Sequence, residues 1–286
     1  MRSVPLAWVA IAAASALVGA GAMAAAWALS GNGGGEAGHG GKIDIAFEPG
    51  PSAAVRLLER SGALARAVRS ANYEITPPTD IHVRMVGPET AARVGTTGPV
   101  YEPTRRTVYI PWSFVEESRQ DLGHLDLLQA ARPDQLDDVE TSAIVFVLYH
   151  ELAHALIDVL DLPVVASEEQ TADSFASVFA IESRNGGEIV PLSAAAMSEA
   201  AHRKRGTPTL ADYADDHGFD RQRALAQVCL VYGSNPNRFA VFVRKGYVPS
   251  HREEICRFDY QRTFRSWRRL LGPWLTHEGG LQPLRR

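Results

Sequence analysis

Residues 150–154 read His150-Glu151-Leu152-Ala153-His154, two imidazoles four positions apart with a carboxylate beside the first. Residues four apart lie on one face of an α-helix, so both rings can reach a single metal ion. Glu151 is rotated by about 100° from His150, which lets it meet a water at that ion without occupying the ion. The chemistry of such a set is metal-assisted hydrolysis with Glu151 as general base and Zn2+ as the expected cofactor. A site of this kind needs a third protein ligand and one open position. Downstream stands Ser167-Glu168-Glu169-Gln170-Thr171-Ala172-Asp173. Glu169 and Asp173 are again four apart. Glu169 is the expected third ligand, with Glu168 competing, and Asp173 is placed to hydrogen-bond the outer nitrogen of a ligand histidine. Both glutamates also suit the positive end of a helix dipole. Neither a Cys nor another His lies close in sequence to close the site as a fourth ligand. An amphipathic helix with two exposed histidines is the plain alternative, but residues 143–157 are apolar except for His150, Glu151 and His154.

These groups have to be held by elements whose patterns are readable. Lys42 to Phe47 and Asp80 to Val86 alternate apolar and polar residues and predict strands. Thr107 to Trp112 is strand-like, and Pro111, which cannot donate to a ladder, argues for an edge strand where an extended peptide could add. Ser52 to Ser70 has helical spacing interrupted near Gly62. Asp138 to Leu160 predicts a long helix stopped by Leu162-Pro163. Ser167, with Gln170 three positions on, opens a helix that runs to about Arg184, before Asn185-Gly186-Gly187. Further helices are expected at 192–204, 218–232, 236–245 and 252–271. The order predicts an α+β domain: a small mixed or antiparallel N-terminal sheet packed on the helix of residues 150–154, and a mainly helical C-terminal half. Hydrolysis also wants a donor for the developing oxyanion. His217, beside Asp215 and Asp216, is the candidate, with Tyr213 and Arg223 behind it; a capping or surface histidine is the alternative.

The chain has 286 residues and a net charge of −4, from 29 Lys+Arg against 33 Asp+Glu. That balance argues against a nucleic-acid partner, and a mean hydropathy of −0.12 excludes a polytopic membrane protein. No charged residue occurs from Val4 to Leu29, and Arg2 precedes the run. Residues 1–29 therefore read as a signal peptide cleaved after Ala22-Met23-Ala24, or as an uncleaved membrane anchor. The segment would contact the membrane or the translocation machinery. Residues 30–41 read as a Gly-rich linker, and 42–286 as the catalytic domain. Either reading exports the body to the periplasm or another extracytoplasmic space, tethered to the inner membrane if uncleaved. Cys229 and Cys256 both lie in that body, an even count that favours a disulfide in an oxidising compartment over two buried free thiols. Arg257, Arg262, Arg265, Arg268 and Arg269 fit the solvated face of a helix whose apolar positions are Tyr260, Phe264, Trp267 and Leu271.

The H-E-x-x-H and E-x-x-x-D pair resembles the gluzincin metallopeptidases. The wider block HELAHALIDVLDLPVVASEEQTADSFA resembles a family of exported bacterial metallopeptidases. The similarity continues at Asp216-His217, Gln222-Arg223, Cys229-Leu-Val-Tyr-Gly233 and Cys256, over about residues 140–271. The resemblance implies a zincin-like fold, zinc dependence, and a peptide or protein substrate. Two rival readings are a catalytically silent envelope protein that keeps the fold, and a zinc amidase acting on a non-peptide envelope substrate.

Overall fold

The computed structural model describes residues 40–50, 52–125, 133–165, 167–183, 186–205, 207–276 and 281. The expected signal or anchor at 1–29 lies outside the described residues, as does the linker apart from Gly40 and Gly41. In chain order the elements are β1 (Ile43–Phe47), α1 (Ala53–Ser61), α2 (Ala63–Glu74), β2 (Ile81–Val86), α3 (Pro88–Val94), β3 (Val100–Glu102), β4 (Thr107–Pro111) and α4 (Trp112–Gly123). They continue with α5 (Pro133–Val159), α6 (Glu168–Ser183), α7 (Ile189–Arg205), α8 (Leu210–Tyr213), α9 (Asp220–Ser234), α10 (Ala240–Arg244) and α11 (Glu253–Leu271). The break expected near Gly62 is real. That residue ends α1 and begins α2 at φ 64°, a conformation glycine adopts without the clash a Cβ would bring.

The class is α+β: a mixed four-stranded sheet in the order β1-β2-β4-β3, followed by helices. β1 pairs with β2 and β2 with β4 in parallel, while β3 is antiparallel to β4. One expectation is overturned here. The strand at Thr107 is interior, flanked on both sides, and the edges of the sheet are β1 and β3. Pro111 is tolerated because it is the last residue of β4: β3 pairs only as far as Tyr109, and α4 begins at Trp112. β3 escapes sequence reading because three residues are too few to show a period. The peptide-adding edge assigned to 107–112 is therefore not available.

α5 is the spine of the domain. Its residues from Ala143 to Leu156 are buried apart from the half-buried His154, as expected for a helix that is apolar around its whole circumference. Among the described residues it is the one helix long and apolar enough to cross a membrane, yet 78% of its apolar window is buried inside the domain. The sheet lies against it, with Tyr101 of β3 donating to Asp158 Oδ2 at 2.7 Å. α2 is reached by Tyr149, whose hydroxyl meets the Ala67 carbonyl at 3.5 Å, and α6 by the edge-to-face Tyr149–Phe179 pair at 4.9 Å. α7 packs on α5, α9 on α7, and α11 on α9. One hydrophobic core runs through all of these layers, from Ile43 to Leu281.

Cys229 of α9 and Cys256 of α11 are disulfide-bonded. Closing a loop with a sequence separation of 27 stabilises by about 3–4 kcal/mol in the chain-entropy model. The two helices touch closely one turn further on, where a Cβ on Gly233 would overlap the Cys256 carbonyl. α11 buries Cys256, Tyr260, Phe264, Trp267 and Leu271 and leaves Arg262, Arg265 and Arg269 exposed. Trp267 is a core residue, its indole N–H bonded to Ser174 Oγ at 3.0 Å.

Two outcomes follow from this packing. Gly233→Ala pushes backbone against backbone and is expected to destabilise by about 2 kcal/mol, read as a lowered urea midpoint with unchanged slope. Glu140, 2% exposed, accepts from Arg119 through Oε2, while Oε1 has no partner among the described residues. Burial raises its pKa from 4.5 to about 6, more than Arg119 lowers it. A carboxyl raised on folding favours the native state at low pH. That contribution is complete below 4.5 and is lost as pH rises through 6, a span corresponding to about 2 kcal/mol. Glu140→Gln is expected to remove this part of the decline between pH 4.5 and 7 in urea unfolding.

Candidate metal centre

The site is built where α5 turns back into α6. α5 closes with Asp161 at φ 49° and with the Leu162 N–H bonded to the Ile157 carbonyl at 2.9 Å. Pro163 prevents the helix from continuing. Ser167 then caps α6 by accepting the Gln170 N–H at 3.3 Å, as the sequence pattern predicts. The turn lays the first residues of α6 alongside the end of α5 that carries both histidines.

His150 and His154 point their Nε2 atoms at each other, 3.2 Å apart. Glu169 sits across both, with Oε2 3.1 Å from His150 Nε2 and Oε1 3.5 Å from His154 Nε2. The outer nitrogens are held separately. Asp173 Oδ1 accepts from His150 Nδ1 at 2.9 Å, and Glu168 Oε1 accepts from His154 Nδ1 at 2.7 Å. With each Nδ1 donating outward, each Nε2 presents its lone pair to the same point. Glu168, which the sequence offers as a rival ligand or a dipole acid, thus stands on the outer side of His154. Glu151 is 7% exposed and His150 6%.

The long-range expectations divide. His217 reaches the cluster, its Nε2 donating to Glu169 Oε2 at 2.7 Å and its ring stacked 6.1 Å from that of His150. His150, Glu169 and His217 form a candidate three-residue metal site, each offering an atom within 4.8 Å of the others. The apparent lack of a further histidine holds in sequence and fails in space. Asp215 orients His217, accepting from its backbone N–H at 2.8 Å. Arg223 acts elsewhere: its guanidinium grips Asp173 with two bonds of 2.7 and 2.8 Å. Tyr213 is exposed and packs edge-on to Phe219, so it does not line the cluster.

The electrostatics call for positive charge at this point. Burial pushes His150 down, but Asp173 and Glu169 more than offset it and hold the ring at about 9. His154 is likewise raised against its burial by Glu169 and Glu168. His217 is raised mainly by Glu169. Burial opposes the charged form of Glu169, yet its three histidine partners hold it far below the usual carboxylate range. Asp173, also buried, is held at about 2 by Arg223 first and His150 second. Glu151 moves the other way: burial raises it, with His150 and His154 offsetting part of the rise. Where no cation is bound, the raised pKa of His150 favours a proton on that ring as the source of charge. A metal ion would displace such a proton and release it to solvent.

Residues 48–271 match the model of the DUF4344 family, described as "putative metallopeptidase", and the chain belongs to that family. The match spans β2, β3 and β4 of the sheet, though not β1, and the helices that carry the cluster. No curated protein and no solved structure matches the chain.

The outer acids are testable as supports. Asp173→Asn is expected to weaken divalent-cation binding about 10- to 100-fold, the usual cost of losing a partner behind a ligand histidine. Glu168→Gln should cost less, because that carboxylate is half exposed and water can replace it. Competition against a chelating dye measures both.

Proposed function

We propose that this protein is a zinc-dependent hydrolase of peptide bonds with a zincin-like architecture, working outside the cytoplasmic membrane. One observation carries the reading: the spacing of the donor atoms. Four-coordinate tetrahedral zinc with bonds of about 2.05 Å separates neighbouring ligand atoms by about 3.3 Å. The Nε2 atoms of His150 and His154 are 3.2 Å apart, and Glu169 brings Oε2 to 3.1 Å from the first and Oε1 to 3.5 Å from the second. Two neutral imidazoles and a carboxylate are also the donor set of open, catalytic zinc sites.

Zinc held there would polarise the substrate carbonyl and make an adjacent water acidic enough to attack at neutral pH. The rest of the work falls to the chain. Glu151 accepts a proton from the attacking water and returns it to the leaving amine, a role favoured by the burial that raises its pKa. Asp173 and Glu168 keep the two rings in one tautomer. His217 donates to the oxygen on which charge develops. Its 2.7 Å approach to Glu169 is a hydrogen-bond length, shorter than the separation of two ligands on one zinc, and supports the donor role. The membership of the chain in a metallopeptidase family favours a peptide over another amide. The disulfide suits an oxidising compartment, and so does the apolar run from Val4 to Leu29.

A second reading keeps His217 as a fourth ligand, because it lies within 4.8 Å of both His150 and Glu169. The site would then be closed and structural, and the protein a silent envelope component. Metal analysis and a peptide-library digest on the full chain separate the two. On the hydrolase reading the wild type holds one zinc and cleaves. Glu151→Gln keeps zinc and loses about 10²–10⁴ in rate, and His217→Asn keeps zinc and loses about 10²–10³ in kcat. Loss of zinc in His217→Asn, together with a wild type that cleaves nothing, would establish the closed site instead.

A further inference from the structure

Asp173 has two sides. One carboxylate edge holds His150; the residue also lines a cleft of about 760 Å3 between α6, α9 and α11. That volume lies within the range of small-ligand and substrate sites. The cleft begins where the metal cluster ends: Gln170 and Gly218 line it, and they follow Glu169 and His217 directly in sequence.

Its chemistry is selective. Ser177 and Gln227 line it while 0% and 2% exposed, and the Ser177 hydroxyl and both amide atoms of Gln227 have no hydrogen-bond partner among the described residues. Buried polar groups of this kind cost free energy until a partner arrives. Three guanidiniums also line the cleft, against two carboxylates. Arg223 is committed to Asp173, and Arg252 lies 3.6 Å from Asp259. Arg262 makes no ion pair among the described residues and rests over the Phe258 ring at 5.5 Å. One positive charge is thus left over in a cleft whose walls also hold an amide N–H2, a hydroxyl and an amide oxygen without partners among the described residues.

We propose that this cleft binds an acidic segment of the substrate: a side-chain carboxylate with a peptide N–H beside it. The carboxylate receives from the exposed Arg262, and side-chain rotation brings the buried Gln227 amide and Ser177 hydroxyl to it, with the peptide N–H donating to Gln227 Oε1. The methylenes of the acidic side chain lie against Leu230 and the disulfide, which line the same cleft. The link to turnover rests on the peptide-hydrolase reading above; the binding itself does not.

The test uses full-length Glu151→Gln protein in detergent, loaded with zinc. It is titrated by fluorescence anisotropy with labelled, end-blocked alanine nonapeptides in which one Glu is walked through every position. Gln and Lys series serve as comparisons. At one position Glu is expected to bind at least tenfold more tightly than Gln, with Lys weakest. Arg262→Gln should erase that preference without changing affinity for the Gln peptide, and Arg269→Gln on the solvent face of α11 should leave it intact. Equal affinity for the three series at every position would overturn the proposal. So would a Glu preference that survives Arg262→Gln, because the acid would then be binding the zinc. Tight binding of the Glu peptide with no cleavage of it by wild type would count against the hydrolase reading and leave the cleft assignment standing. Cleavage indifferent to acidic residues would do the reverse.

Discussion

Two imidazole lone pairs cannot face each other at 3.2 Å beside a carboxylate unless something positive lies among them, and the molecule is arranged around that demand. The demand exists only because the rings are held in place from behind. Asp173 takes the outer nitrogen of His150, Glu168 that of His154, and neither ring can turn its Nε2 away without abandoning an ionic hydrogen bond. Behind His150, where Asp173 is largely buried, such a bond is strong in the low-dielectric interior; behind His154, where Glu168 is half exposed, water can partly replace it.

The support is layered outward from there. Arg223 neutralises Asp173 through two parallel bonds, so α9 is coupled to the cluster although it contributes no candidate ligand. α9 is in turn clasped to α11 by the disulfide and by the close backbone approach at Gly233. On the other side α5 is sealed by α2, α6, α7 and the sheet, so the histidine rings sit on a helix with little freedom to shift. The same fixed helices that position the cluster wall the adjoining cleft. A change in that wall would be felt through Asp173 by His150.

Much of this is legible in the primary structure, for reasons that differ from element to element. H-E-x-x-H and E-x-x-x-D announce themselves because each depends on a local period of four, and the capped turn between them leaves few ways to fold back. The long apolar stretch of α5, the break at Gly62 and the stripe of α11 are local in the same sense. What is missed depends on non-local pairing. Nothing within residues 107–111 shows that the strand is flanked on both sides, and three residues of β3 carry no period. α4 is hidden because it starts at the residue directly after β4 stops. His217 and Arg223 stand out only as a polar pair of motifs; that one faces Glu169 and the other Asp173 follows from helix packing over 48 and 50 residues. Glu168 is ambiguous for the opposite reason, since adjacent glutamates look alike until the axis of the helix is known.

The cluster is also unequal in how firmly its parts are mounted. His150, His154, Glu169 and Asp173 stand on two helices locked into the core. His217 arrives on an exposed segment secured by Arg205, which reaches Asp212 at 2.7 Å and Asp220 at 3.1 Å, and by the Tyr213–Phe219 contact. Guanidinium–carboxylate contacts at the surface are weakened by salt, whereas burial in the core is not. The centre thus has a permanent half and a detachable half. Added salt weakens the contacts that secure the segment of His217 more than it weakens the packing of the two helices beneath.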